Sequence, residues 1–375
     1  MTGSLDAERH AAQFAFAASG ADLVVGSTDR LPWSAAELAT LDLGDAAVLQ
    51  RLDSGLTARV YRLTDGTRHW TLKRARPQAL VHNNDGQTSF LNEVQRRADL
   101  QALKRQPGGE QRWAAIVDTE FAAYRQGVIL SPWIEGQPVQ HWDERRLVQL
   151  FEVVCALWTE GLFEWDLCSG NILDDGRQLR LFDFGYMYRF DPLRQFNSAG
   201  NGSDQPMFHP AERFETRHHA AHLLTLAEEA GEAAALQAFR LEKAVATEAY
   251  RQMRSTIAPR GAAQHVIDWL DSLVRRWHTA LQGSAEALYR SELWRSHVLD
   301  LHDDLSGRSC TPMTLRRVDW LLDSLVHHHD ALRAGGAFFG GDDWRGRDQL
   351  LSHYRAQRQL AATLQTVRET TDTTA

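Results

Sequence analysis

Only three cysteines, Cys155, Cys168 and Cys310, occur in the 375 residues, and no two of them stand in a Cys-x-x-Cys spacing. So few give no disulfide framework, which favours a reducing compartment. No apolar run reaches membrane-spanning length, and the first residues lack a basic stretch followed by an apolar core. These absences predict a soluble, cytoplasmic protein with no membrane span. Positive charge is in deficit: 41 Lys and Arg stand against 49 Asp and Glu, a net charge of −8. That balance argues against a nucleic-acid or anionic-membrane partner. Two catalytic signatures are missing as well. There is no Gly-x-x-x-x-Gly-Lys-Ser/Thr, hence no P-loop, and no Gly-x-Ser-x-Gly, the elbow that exposes a serine nucleophile. The rest of the composition is ordinary for a globular chain, with 43% hydrophobic and 24% charged residues. A chain of this length buries a large core, either as one two-lobed domain or as two domains.

The stretch with the densest chemistry is Gly161–Leu–Phe–Glu–Trp–Asp–Leu–Cys–Ser–Gly–Asn–Ile–Leu173, followed by Leu181–Phe–Asp–Phe–Gly185. Asp166, Asn171 and Asp183 are its acids and amide at fixed spacing. Asn171–Ile–Leu173 suits a short strand, Asp174–Asp–Gly176 a tight turn, and Leu179–Arg–Leu–Phe182 a return strand. Such a hairpin brings Asn171 and Asp183 to one end, where hard oxygen ligands can share a Mg²⁺. Asp166, beside them in sequence, is then left to accept a proton.

Upstream, residues 1 to about 45 read as mostly helical, a brace for the sheet after them, with a second short helix beginning near Ser34. From Val48 the period becomes strand-like. Leu49–Leu52, Ala58–Leu63 and His69–Lys73 are separated by turns at Asp53–Ser–Gly55 and Thr64–Asp–Gly66, an antiparallel meander. A helix opens at Thr88–Ser–Phe–Leu–Asn–Glu93, capped by Thr88 or Ser89. After Pro107–Gly–Gly109, Ala114–Val117 and Gly127–Leu130 read as two further strands. Arg145–Glu160 is an amphipathic helix with Leu147, Leu150, Phe151, Val154 and Leu157 on one side. Residues 186–210 are rich in Gly and Asn and predict a mobile loop. From 211 to about 365 the pattern is helical throughout: 218–233, 236–253, 265–281, 285–299, 315–333 and 348–366. The last residues, 366–375, predict a disordered tail.

Asp-Leu-x-x-x-Asn-Ile-Leu followed by Asp-Phe-Gly, in this order and spacing, resembles the catalytic and metal-binding loops of the protein kinase-like superfamily. The resemblance runs from about Leu49 to Gly185. It implies an α+β, two-lobed fold: an N-terminal antiparallel sheet lobe with a helix over 48–134, and a large helical C-terminal lobe over 135–365, with 1–47 as an N-terminal helical extension. It further implies that Lys73 holds the phosphates of ATP, that Glu93 holds Lys73, and that Gly55 lies in the turn covering the phosphates. Ser131–Pro–Trp–Ile–Glu–Gly136 resembles the interlobe hinge, with Ser131 at the gatekeeper position and Pro132 and Ile134 meeting adenine through their main chain. Proline suits a position where only a carbonyl is used, because it has no N–H. By the same resemblance Asn171 and Asp183 are the Mg²⁺ ligands and Asp166 the catalytic base. Pro210–Ala–Glu212 resembles the motif that closes the activation segment.

The departures are also informative. Asp53 and Ala58 stand where two further glycines are usual. Glu164–Trp165 replaces His-Arg, so the arginine that reads loop phosphorylation is absent, and Cys168 stands where serine/threonine protein kinases carry a lysine. The implied activity is an ATP- and Mg²⁺-dependent transfer of the γ-phosphate to a hydroxyl, in an atypical kinase not switched by phosphorylation of its own loop. Protein and small-molecule acceptors both remain open, as do a pseudokinase-type scaffold and transfer of AMP. His297, His302, Asp303, Asp304 and His327–His–His–Asp330 are not read as a metal cluster, because successive histidines on a helix point in different directions.

Overall fold

The structure, a computed structural model, describes residues 5–52, 55–199 and 207–366. Asp53 and Ser54 of the expected first turn, part of the expected 186–210 loop (residues 200–206) and the expected tail from 367 lie outside the described residues. The chain is mixed α and β, with a six-stranded antiparallel sheet in its N-terminal part and a large helical C-terminal region. In chain order the elements are α1 (Leu5–Ala18), β1 (Val24–Gly26), α2 (Ala35–Thr40), β2 (Val48–Leu52), β3 (Ala58–Thr64), β4 (His69–Ala75), α3 (Asn84–Lys104), α4 (Gly109–Arg112), β5 (Phe121–Ala123), β6 (Val128–Pro132), β7 (Gln137–Pro138) and α5 (Glu144–Thr159). After these come β8 (Leu162–Glu164), β9 (Ile172–Asp174), β10 (Leu179–Leu181), β11 (Met187–Arg189), α6 (Pro210–Phe214), α7 (Ala220–Ala230), α8 (Glu232–Ile257), α9 (Gln264–Gln282), α10 (Glu286–Gly307), α11 (Pro312–His327), α12 (His329–Ala334) and α13 (Arg347–Thr363). Among the described residues no helix is long and apolar enough to cross a membrane.

Two compact units divide the described residues. One runs up to Val139 and takes up Gly170–Tyr188 again; the other comprises Gln140–Ser169 and Arg189–Thr366.

In the first unit the sheet order is β1-β5-β6-β4-β3-β2. Successive side chains of a strand alternate between faces, and here the two faces carry separate cores. Tyr61, Leu63, Trp70, Leu72, Val128 and Leu130 gather with Leu38 of α2 on one face. Ala122 and Ile129 gather with Val25 and with Val94 of α3 on the other. Lys73 follows Leu72 and pairs in register with Val60 and Ile129, so alternation places it on the α3 face. Ser34 caps α2 through a full capping box with Glu37.

Three expectations need correction in this unit. Ala114–Val117 is no strand: Ile116 makes only a single bridge to Leu181, and the strand beside β6 is Phe121–Ala123. Ile116 and Val117 are buried without strand pairing beyond that bridge, and a short apolar run does not distinguish such burial from a strand. The helix α3 begins five residues earlier than Ser89, capped by Asn83, whose side chain accepts the Gly86 N–H at 2.8 Å. Thr88 and Ser89 lie inside it and donate to the carbonyls of Asn84 and Gly86. Finally, β1 interrupts the region expected to be helical.

The second unit is built on helices. Asp143 caps α5, and Leu147, Leu150, Phe151, Val154, Leu157 and Trp158 form its buried side. The α10–α13 region has its own core around Trp294, Leu301, Val318, Leu321 and Tyr354. The helix expected over 315–333 breaks at His328, between α11 and α12.

Candidate active site

Lys73 in β4 and Glu93 in α3 meet because each is on the inner side of its element: Lys73 Nζ lies 2.8 Å from Glu93 Oε2. The same ammonium lies 2.8 Å from Asp183 Oδ1. Lys73 and Glu93 are buried, whereas the Asp183 side chain is about one-third exposed (34%). Burial pulls the Lys73 ammonium down, but Asp183 and Glu93 outweigh it and the net direction is up. Burial pushes Glu93 up, yet Lys73 and Arg97 hold it below the usual carboxylate range.

Arg97 belongs to no motif legible in the sequence. One turn beyond Glu93, it donates to Glu93 Oε1 from Nε at 3.1 Å and from Nη2 at 2.8 Å. Its Nη1 also donates to the hydroxyls of Ser131 (2.9 Å) and Thr119 (3.1 Å). A continuous polar chain thus runs Asp183–Lys73–Glu93–Arg97–Ser131 through an otherwise apolar face. A charged residue four after Glu93, in a helix with a buried side, was the available signal.

The hairpin β9–β10 pairs Ile172 with Leu181 and Asp174 with Leu179, its turn at Asp175–Arg177. Phe182 donates its N–H to Asn171 O at 3.2 Å, so Asn171 and the residue before Asp183 close the open end of the hairpin together. Asp183 takes a φ of 67°, a left-handed conformation that Asp tolerates better than most residues. Asn92, a second residue unrecognised in the sequence, anchors the chain beyond Asp183: its amide donates to the carbonyls of Gly185 at 2.9 Å and Met187 at 2.8 Å. Asn171 and Asp183 offer two hard oxygen donors. That is too few for a protein cage, but it suits Mg²⁺, which keeps several waters and takes substrate phosphate oxygens.

The other expected nucleotide contacts are main-chain positions. At Gly55 a Cβ would meet the Ala58 carbonyl oxygen at 2.1 Å, so the turn is closed to any side chain there. The Gly55 carbonyl accepts from Arg76 Nε at 3.0 Å. Trp133 donates its N–H to His69 O at 3.0 Å. Strand alternation therefore turns the main-chain carbonyl of Pro132 away from β4, on the side where β5 pairs β6 only as far as Leu130, and Ile134 lies two residues beyond the end of β6.

Asp166 belongs to the second unit. Its N–H donates to Glu164 Oε1 at 2.8 Å, and its Oδ1 lies 3.0 Å from Arg217 Nε. Trp165 donates from its indole to the Ser198 hydroxyl at 2.9 Å and packs on Phe163 and Phe208.

No family model matches this chain, and no curated protein matches it. Among solved structures, the crystal structure of the M. tuberculosis PknI kinase domain is similar to it at 16% identity and a TM-score of 0.32, over 62% of this chain and 97% of that one.

Proposed function

We propose that the protein is an ATP- and Mg²⁺-dependent phosphotransferase of protein kinase-like fold that passes the γ-phosphate to a hydroxyl-bearing acceptor. The observation that carries this reading is the placement of Lys73 between Glu93 and Asp183, at 2.8 Å from each. An ammonium held this way is fixed in space and presents its charge where phosphate oxygens arrive, whereas an unpaired lysine samples many rotamers. In this reading Lys73 contacts the ATP phosphates and Glu93 holds Lys73 in place, braced by Arg97. The turn at Gly55 covers the phosphates, and Ser131, Pro132 and Ile134 line the adenine position. Asn171 and Asp183 hold Mg²⁺, which neutralises charge on the phosphates. Asp166 orients the acceptor hydroxyl and takes its proton. Phosphoryl transfer asks little covalent chemistry of a protein; positioning and charge stabilisation supply most of the rate.

The test combines binding with turnover. Mg-ATP is expected to raise the melting temperature of the wild type but much less that of Lys73→Ala, and Asp183→Asn is expected to weaken the Mg²⁺ dependence of that shift. Asp166→Ala is expected to keep the shift and to lose transfer of labelled phosphate to protein or metabolite acceptors by about 10²–10⁴-fold. Equal Mg-ATP shifts in wild type and Lys73→Ala would remove the nucleotide-site assignment. A wild type that binds Mg-ATP yet transfers nothing would identify a scaffold.

A further inference from the structure

The segment Trp165–Asp166 is gripped from one side by two arginines that stand four apart. Arg213, in α6, donates from Nε to the Trp165 carbonyl at 3.1 Å, and its guanidinium lies 5.0 Å from the centre of the Trp165 ring. Arg217, in the π-helical turn Glu215–His219 that continues α6, places Nε 3.0 Å from Asp166 Oδ1. Single π-turns within helices occur frequently at functional sites.

Arg217 is itself fixed from behind. Its Nη1 pairs with Asp300 Oδ1 and lies 3.9 Å from Asp304 Oδ1, both on α10. Asp300 Oδ2 lies 2.9 Å from Arg317 Nε on α11, and Asp304 accepts from the Thr314 hydroxyl. The planar guanidinium therefore spans two carboxylates, one on the loop and one on a buried helix. Asp300 is shared with Arg317, so Arg217 is held from behind by Asp300 while it answers to Asp166 in front, and the contact fixes where the Asp166 carboxylate lies. In a loose phosphoryl-transfer transition state the acceptor must be aimed rather than strongly deprotonated, so a fixed carboxylate rotamer is what the step requires.

We propose that Arg217 is the positioning residue for Asp166, holding its carboxylate in the orientation that aims the acceptor hydroxyl, with Asp300 as its own anchor. The proposal rests on the reading of Asp166 as the group that orients the acceptor.

The experiment uses the full chain with Mg-ATP as donor and water as acceptor, read as phosphate release. Arg217→Ala is expected to lower kcat about 10–100-fold, the scale of a misplaced catalytic group, with KM for ATP within about twofold of wild type and the Mg-ATP melting shift retained. Arg217→Lys recovers part of the rate, because a single ammonium cannot span both carboxylates. In an Asp166→Ala background, Arg217→Ala costs nothing further. Wild-type kcat in Arg217→Ala, or an equal loss with and without Asp166, would overturn the proposal. Should Arg217→Ala fail to fold, Asp300→Asn carries the test: it must lower kcat in the wild-type background and leave Asp166→Ala unchanged, and a loss of equal size in both overturns the proposal. Full turnover in Asp166→Ala, or a wild type that transfers neither to water nor to any protein or metabolite acceptor, removes the reading of Asp166 together with this proposal. An inactive Asp166→Ala beside a fully active Arg217→Ala removes this proposal alone.

Discussion

At Asp183 the backbone accepts a left-handed conformation whose cost is on the order of 1 kcal/mol for a non-glycine residue, and its neighbours hold it there. Lys73 pins the side chain, the Phe182 N–H pins the strand end to Asn171, and Asn92 pins the carbonyls beyond it. The titrating groups behave differently from one another. Glu93 is held below its usual range, so its contribution to stability is present above that range and is lost only as pH falls through it. Asp304 runs the opposite way. Burial pushes it up to about 7, with Asp300 adding to the effect against Arg217 and Thr314. Between its ordinary value and pH 7 the native state therefore binds more protons at this site than the unfolded chain does, and stability falls as pH rises. Asp304→Asn keeps the shape and removes the titration. Unfolding free energies from urea titrations at pH 4.5 and 7.5 are expected to fall toward the higher pH by on the order of a few kcal/mol in wild type and to change less in the variant. Parallel curves would show that Asp304 does not titrate in this window.

At the scale of elements, Trp165, which stands where an arginine that reads loop phosphorylation is usual, meets Ser198 and Phe208 through an indole hydrogen bond and a ring contact. Trp165 packs on Phe208 at 4.9 Å and lies beneath Arg213. If the proposed phosphotransfer holds, phosphatase-treated protein is expected to keep it, and loss of most of it would contradict a loop that needs no phosphorylation. The strands β2, β3 and β4 were legible because alternation and Gly-containing turns report directly on backbone geometry, and α5 because its apolar stripe is regular. The strand β1 was not: three residues carry too little pattern, and Gly26, with φ 75° and a Glu120 carbonyl 2.1 Å from where a Cβ would sit, reveals its fit only against β5. The start of α3 was hidden because its first turn, Asn84–Gln87, carries no apolar residue. The pairing of Lys73 with Glu93 was legible only through the resemblance to the kinase-like superfamily, and the contact of Asp183 with Lys73 was not foreseen. Arg97, Asn92 and Arg217 were not legible, since their partners Ser131, Gly185 and Asp166 are distant in sequence, and only tertiary packing says which charged residue of a helix turns inward.

At the scale of the whole molecule, each unit carries its own core, but the first is not a continuous piece of chain. Residues Gly170–Tyr188 return to it after Gln140–Ser169 have been laid into the other. The returning hairpin is stitched to earlier chain by main-chain bonds: Val117 N–H to Leu181 O at 3.0 Å, Leu181 N–H to Ala115 O at 2.8 Å, and pairing of Gln137 with Asp174. A fragment ending at Val139 lacks all of these partners. It is expected to melt without a cooperative step by circular dichroism where the full chain shows one; a cooperative transition in the fragment would overturn this. The same stitching sets a schedule during synthesis. A ribosome adds about 5–20 residues per second, so once Val139 has been joined to the chain the segment Ala115–Val117 waits roughly 2–10 seconds for the hairpin up to Tyr188 to be added. Throughout that interval the main chain at Ala115–Val117 lacks its partner Leu181, and slowing translation just before codon 181 would lengthen its exposure to wrong partners.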